Sequence, residues 1–467
     1  MNERVIVAGS GVAAVEAVLA LRHLAGRDFD IELLSPSHAL EHRPASVAAP
    51  FGLGAPPPLD LHDLARRYAV ALVEGELAGV DVEARTALVA GGESRPYDHL
   101  LVAVGASPVS AVSGSLPFRG PADVQMVEWL LAEIKRGHRR QVVVTLPVGA
   151  TWSLPAYELA ILAAAETSGV PDATVTLVTP ERDPLWIFGE AAGSALRELL
   201  SDRRVELRTE ARPAHVTDHV LWLESRDAVA ADTVLSLPRL MGPWIPGLPC
   251  DGDGFIPTDA HGYVMGAPRV LAAGDATTFP VKQGGLATQQ ADAAAATIAH
   301  ALGAAVEPRP FAPVLRGLLL TGGAPLYLRA ELDATGARRA TGHRRLAGRV
   351  SSRALWWPPG KVAGRYLAPY LSTARPVELG TEPLLDRVPS GAGADDAERD
   401  AALDLARLLA DEDAAAGDLP QALHALDAAA ALAGGVLPAA YAERREQWLA
   451  QLGSGRERAR ARPRARR

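Results

Sequence analysis

The chain has 467 residues, 48% of them hydrophobic and 22% charged, an ordinary globular composition with room for two or three domains. Its net charge of −8 argues against a general nucleic-acid binder, and its single cysteine, Cys250, excludes an intrachain disulfide and a two-thiol redox centre. No apolar run reaches the ~18–20 residues of a membrane span and no signal-like apolar core follows MNER, so a cytoplasmic protein is expected, with peripheral contact at the inner face of a membrane left open.

In chain order, strands are predicted at 4–8 (RVIVA) and 29–34, with a helix at 12–24 between them. The proline-rich APPPLD is loop, and short strands follow at 72–73, 87–90 and 100–104. A second series starts at Arg140: strand VVVTL, a helix from Tyr157, strand 175–179 and a helix near 191–200. The chain then returns with RVLAAGD at 269–275, strand into turn, and a helix from about Gly285. This alternation predicts an α/β fold with mainly parallel sheets. Past Pro310, VLRGLLLTGG and ALWWPPGKVAGRYLAPYL are apolar, with aromatic and basic residues interleaved. The Gly/Ala/Asp stretch PSGAGADD reads as a linker. Three amphipathic helices follow, marked by Leu405, Leu408 and Leu409, by Leu423 and Leu426, and by Tyr441, Trp448 and Leu449. A lone helical hairpin cannot bury its own apolar face, so docking on the main body, or on a partner, is expected. The terminal RERARARPRARR reads as a disordered basic tail.

Three motifs carry chemistry. In VAGSGVAAVEA, Gly9, Gly11 and Ala14 match G-x-G-x-x-G/A between a strand and a helix, with Ser10, Val12 and Ala13 in the same turn. Gly9 permits the turn, Gly11 lets the backbone approach a pyrophosphate, and the helix N-terminus offers free N–H groups. The acidic residue that normally closes the second strand is missing; Glu32 lies inside that strand, and Ser35 stands at its end as a neutral substitute. In YDHLLVAVGASP, an apolar strand delivers the small-residue turn holding Ala103 and Gly105. In RVLAAGDATTFPVKQGGLATQQAD, a strand ends at Gly274 and Asp275, and Lys282, Gln283, Gly284, Gly285 and Leu286 lead into a helix. Asp275 suits the hydroxyls of a polyol, and the helix N-terminus and Lys282 suit negative charge.

In this order the motifs resemble those of the FAD-dependent pyridine-nucleotide oxidoreductases, most nearly the branch of type-II NADH dehydrogenases and sulfide:quinone oxidoreductases. The resemblance spans roughly residues 4–371. It implies two Rossmann-like dinucleotide-binding domains, the FAD domain discontinuous at 1–116 and 250–310, and a degenerate NAD-binding-like domain at 117–249. A C-terminal cap (311–388), a linker (389–396), a helical extension (397–452) and a basic tail (453–467) complete the chain. By the same resemblance the ADP half of FAD lies along Gly9, Gly11 and Ser35, with Arg43 nearby. Gly105 lies near its middle, Gly274 and Asp275 meet the ribityl chain, and Gln283 to Leu286 border the flavin ring.

The second domain breaks its own pattern. Between VVVT and YELA, where a second glycine fingerprint belongs, stand Pro147, Gly149, Trp152 and Pro155. Proline offers no N–H to a phosphate, and tryptophan fills space that glycine leaves open. Glu158 resembles the glutamate that follows such a fingerprint. With Cys250 unpaired, the flavin is left as the redox centre; no catalytic side chain and no metal site is expected. The expected function is electron transfer through FAD from a small-molecule donor to a quinone or similar acceptor. Two alternatives stay open: an NAD(P)H dehydrogenase with a remodelled loop, and a non-catalytic flavin-binding scaffold whose extension recruits a partner. The aromatic and basic mixture of Trp356, Trp357, Lys361, Arg365 and Tyr366 suits either a lipid interface or a packed cover over the flavin site.

Overall fold

The computed structural model describes residues 2–54, 56–338, 348–356 and 358–374, isolated positions of the extension (410, 414, 419, 422, 423 and 426), and residues 439–460. Five parallel strands form the first sheet, in the spatial order Val270–Ala272, His99–Val102, Arg4–Ala8, Asp30–Ser35, Ala71–Glu74. Both faces of its inner part are covered, which is why Arg4–Ala8, His99–Val102 and Val270–Ala272 are mostly apolar without alternation; the edge strand Ala71–Glu74 is partly exposed. Val5 and Val7 join the core on one face, Ile6 and Ala8 the core on the other.

The helix Val12–Ala25 and the long helix Gly284–Ala301 lie together on the first face. Ala13, Ala17 and Ala20 share that core with Ala287, Ala291 and Ala294, and such small side chains allow close helix axes. A three-stranded antiparallel sheet, Leu77–Asp81, Thr86–Val89 and Ser94–Pro96, closes the other face. Its middle strand is the one predicted at 87–90; of the outer two, Leu77–Asp81 is interrupted by Gly79 and Ser94–Pro96 is three residues long, so both carry little sequence signal.

The second sheet is also parallel, in the order Leu116–Pro117, Thr233–Ser236, Gln141–Thr145, Thr174–Val178, Val205–Arg208. Its first helix is Leu154–Thr167, three residues earlier than the pattern from Tyr157 predicts. Pro155 therefore belongs to the first helical turn, not to the loop; proline suits that turn because its N–H would be unsatisfied there anyway. The helix Glu190–Asp202 follows.

The apolar region beyond Pro310 folds as a three-stranded antiparallel sheet, Val314–Leu319, Leu326–Glu331 and Arg349–Ser351, and the short helix Leu367–Ala374. Gln289 ties this sheet to the long helix: its Nε2 donates to Val314 O at 2.9 Å and its Oε1 accepts from Val314 N at 2.9 Å. Trp356 is only 4% exposed and stands edge-on to Tyr327, so it packs as cover; Trp357 lies outside the described residues.

In the extension, Ala410, Ala422, Leu423, Leu426 and Trp448 form a small core of their own. Leu449 is 44% exposed and does not join it. The last helix runs from Ala439 to Arg460, so the start of the basic tail is helical, contrary to the expected disorder. Alanine, arginine and glutamate sustain a helix, and the first proline in that stretch is Pro463. The linker at 389–396 and the Leu405, Leu408, Leu409 face lie outside the described residues. No helix among the described residues is long and apolar enough to cross a membrane.

Candidate functional site

From Arg4–Ala8 the chain winds first to one side of its sheet and later to the other, so the order reverses beside this strand. Ligand crevices in open α/β sheets form at the carboxyl ends of strands at such a reversal. There the three motifs meet. Ala8, Val102 and Ala272 are in register, and each is followed by a turn of small residues. Gly9 has φ +133°, and a Cβ on it would lie 2.2 Å from Ala103 O, so no other residue fits. Gly274, at φ +79°, is wedged between Ala13 and Ala287, and its N–H donates to Gln290 Oε1 at 2.8 Å. At Gly11 and Gly105 the opposite holds: nothing lies within 4 Å of where a Cβ would stand. The result is a bare backbone groove, with Ser10, Gly11, Val12 and Ala13 opening a helix at one end. It fits a dinucleotide: the crowded glycines shape the turns and the open ones clear the path.

Neither acidic nor hydroxyl side chain at the second strand faces this groove freely. Glu32 is paired with Arg95 at 3.1 Å and Arg4 at 3.4 Å. The Ser35 hydroxyl donates to Ser37 O at 2.6 Å and accepts from Ser37 N at 3.0 Å, which uses it to close the local turn.

The groove continues into a cavity of about 1080 Å³, part of it open to solvent. Arg43, Asp275, Lys282, Gln283 and Gly284 form its wall on the first-sheet side. Gly285 and Leu286 lie behind, in the buried first turn of the long helix. Gln283 caps that helix: its Oε1 accepts from Leu286 N at 3.0 Å, while its Nε2 donates to Arg316 O at 3.0 Å. The amides of Gly284 and Gly285 are thereby left at the positive end of an 18-residue helix.

Lys282 is no solvated loop lysine. It is 6% exposed, donates to Thr277 O and stands 3.9 Å from the centroid of the Phe255 ring. Burial pulls its pKa down to about 8, against the opposing pull of Asp275 and Asp251. Burial likewise pushes the Asp275 carboxyl up, and Lys282 and Arg43 draw it back.

The opposite walls come from the second sheet (Trp152, Leu154, Pro155, Glu158) and the C-terminal region (Arg316, Leu318, Lys361). Glu158 is fully buried. Its Oε1 accepts from Lys361 Nζ at 2.5 Å and from Leu320 N at 2.8 Å, while its Oε2 is buried without a protein partner. Burial raises the Glu158 pKa, and Lys361 is the main opposing influence. Lys361 and Arg316 are absent from the set of cofactor residues read from the three motifs. One signal was there to find: a glutamate within the apolar helix LPAYELAILAAA has to be buried, and a buried carboxylate needs a cation. Cys250 is exposed and is not among the residues that line the cavity.

The comparisons agree with this architecture. Residues 3–297 match the model of the family described as pyridine nucleotide-disulphide oxidoreductase. Among solved structures, the fold is similar to that of the sulfide:quinone oxidoreductase from Aquifex aeolicus, with a TM-score of 0.65 and 17% identity over 80% of this chain and 89% of that one. A ferredoxin reductase from Rhodopseudomonas palustris matches with a TM-score of 0.57 and 19% identity over 71% of this chain and 83% of that one. NDH2 from Plasmodium falciparum matches with a TM-score of 0.50 and 14% identity over 59% and 64%. At these identities the neighbours show a shared fold, and the family match carries the assignment: this chain belongs to the pyridine nucleotide-disulphide oxidoreductase family and is a flavin-dependent oxidoreductase.

Proposed function

We propose that the chain binds FAD across the three strand ends and uses it to pass electrons from a small-molecule donor to a quinone or similar acceptor. The carrying observation is the convergence of Gly9–Gly11, Ala103–Gly105 and Gly274–Asp275 on one crevice, whose Asp275 lines the adjoining cavity. The backbone around Gly9 and Gly11 would hold the pyrophosphate. Asp275 would accept from hydroxyls of the linking chain, and the N-terminus of the long helix with Lys282 would stabilise negative charge. FAD, when bound, supplies the two-electron chemistry that no side chain here can.

The chain's own part is to bind, orient and tune. Phe118, Trp152, Leu154, Leu240 and Leu318 give the cavity apolar walls, while Arg43, Arg316 and the Glu158–Lys361 pair place polar groups around it. Such a cavity suits a planar, mostly apolar acceptor with polar edges. Glu158 can hold a proton beside it. The fold likeness to a quinone-linked enzyme supports the acceptor class. Peripheral membrane contact would follow from a lipid-borne acceptor.

The purified protein should show the oxidised flavin band near ~450 nm, a property of the cofactor's own chemistry. Donors are then mixed with it anaerobically, one at a time, and a quinone is added to those that bleach the band. Recovery of the band on quinone addition supports the reading. A colourless protein that takes up no added FAD rejects it.

A further inference from the structure

The strand order of the second sheet also reverses, beside Gln141–Thr145, as that of the first does beside Arg4–Ala8. In a dinucleotide-binding unit two things meet at such a place: a phosphate on the N-terminus of the helix after the first strand, and an acidic residue after the second strand that reaches the ribose. Here the helix is Leu154–Thr167, and the acidic residue following strand Thr174–Val178 is Glu181. It turns inward. Its Oε1 accepts from Ser153 Oγ at 2.9 Å, and its Oε2 accepts from Tyr157 OH at 2.6 Å and from Thr179 Oγ1 at 3.2 Å.

Ser153 is the N-cap position of that helix and Tyr157 lies one turn inside it. The Glu181 carboxylate therefore stands over the helix start, where the positive end of the dipole favours an anion. Tyr157 is wholly buried, so its hydroxyl is held in place by packing. The loop around the carboxylate gives a phosphate little else. Gly149 is its one glycine, Pro147 has no N–H, and Trp152 stands edge-on to Phe188 with ring centroids 6.0 Å apart.

We infer that Glu181 takes the place of a nucleotide phosphate in the second domain and thereby closes it to NADH and NADPH. The hydroxyls that would meet a dinucleotide are spent on the chain's own carboxylate, and a phosphate brought to the same spot would meet a like charge. The second domain then serves as a wall of the flavin cavity, and the electron donor reaches the cavity without a nucleotide site. The inference narrows the donor class of the proposed function and does not depend on the acceptor.

The test has two arms, both on the full chain, with flavin content followed separately by absorbance so that loss of the cofactor is recognised as such. In equilibrium dialysis the wild type should show no saturable binding of NADH or NADPH up to about 1 mM; saturable binding below that concentration overturns the inference. In the second arm Glu181→Ala opens a space lined by the Ser153, Tyr157 and Thr179 hydroxyls. Sodium formate should raise the melting temperature of this variant, relative to sodium chloride at equal ionic strength, and leave the wild type unmoved. Glu181→Gln keeps the space filled, so it should fold without responding to formate. An alanine variant that responds no more than the wild type, or a glutamine variant that responds as strongly as alanine, overturns the placement.

Discussion

Lys361 Nζ and Glu158 Oε1 lie 2.5 Å apart, although 203 residues separate them in the chain. The lysine side chain is 8% exposed and the glutamate not at all. Two charges are seldom buried together unless geometry compensates their lost hydration. Here the compensation is partial, because Glu158 Oε2 has no protein partner beside the cavity. The pair joins the second domain to the C-terminal region at the wall of the site, and it leaves one buried carboxylate oxygen without a protein partner.

Removing one partner should cost far more than removing both. Lys361→Met leaves an uncompensated buried carboxylate, and a loss of about 3–5 kcal/mol is expected at pH 8. The deficit should shrink toward pH 5, because Glu158, already raised by burial, then takes up a proton in the folded variant. The double variant Glu158→Gln with Lys361→Met should regain most of the loss. Urea midpoints of the three variants at both pH values measure this; a deficit independent of pH would contradict the charge argument.

Gly9 and Gly11, two residues apart, should fail in different ways. A Cβ at Gly9 would strike Ala103 O, at a φ that only glycine adopts readily, so Gly9→Ala should unfold the first domain or lower its melting temperature sharply. At Gly11 the space is open, and Gly11→Trp should fold with near-wild-type circular dichroism yet lose its flavin. Flavin-to-protein absorbance ratios and melting curves separate the two outcomes. A Gly11→Trp protein that retains stoichiometric flavin would place the cofactor elsewhere.

The first crevice was legible in the sequence because its determinants are local. Gly9 and Gly11, Gly105, and Gly274 with Asp275 each lie in one short strand–turn segment, and parallel pairing brings the three ends together. The opposite wall was not legible as a site. Glu158 could be read as a fingerprint remnant and Lys361 as an interfacial lysine, since nothing in either segment states that they meet. Pairing across 203 residues is a property of the fold. The burial of Lys282 was not legible for a related reason: it comes from Phe255 and Thr277, which the loop sequence VKQGG does not contain. Helix starts were misjudged where proline stands at the first turn, as at Pro155, because proline marks both loops and helix beginnings.

Lys282 predicts a rise in stability with pH. Its folded pKa is about 8, below the 10.5 of the free side chain, so between these values the unfolded chain binds more protons than the folded one. Stability should therefore rise across that window, by up to about 3 kcal/mol at the full shift. Lys282→Met should flatten that rise. Urea midpoints at pH 7.5 and 9.5, compared between wild type and variant, decide the matter; equal slopes would mean that Lys282 is solvated.

Glu16 predicts the opposite slope at lower pH. It is fully buried in the fingerprint helix, where its Oε1 accepts from Tyr366 N and its Oε2 from Leu367 N, both at 2.7 Å, and so caps the short helix Leu367–Ala374. Burial pushes its pKa from 4.5 to about 7, while the backbone donors Tyr366, Leu367 and Arg365 and the neighbouring Asp292 pull it down. Between those values the folded chain binds the extra proton, so stability should fall as pH rises from about 4.5 through about 7. Glu16→Gln cannot titrate and should lose this fall, at the cost of one of its two backbone hydrogen bonds, about 1 kcal/mol. Because the anchored segment carries Lys361 into the cavity wall, hydrogen exchange at residues 366–371 should quicken with pH in the wild type beyond the chemical rate and not in the variant. Exchange that follows the chemical rate alone in both proteins would show that ionisation of Glu16 does not loosen the segment.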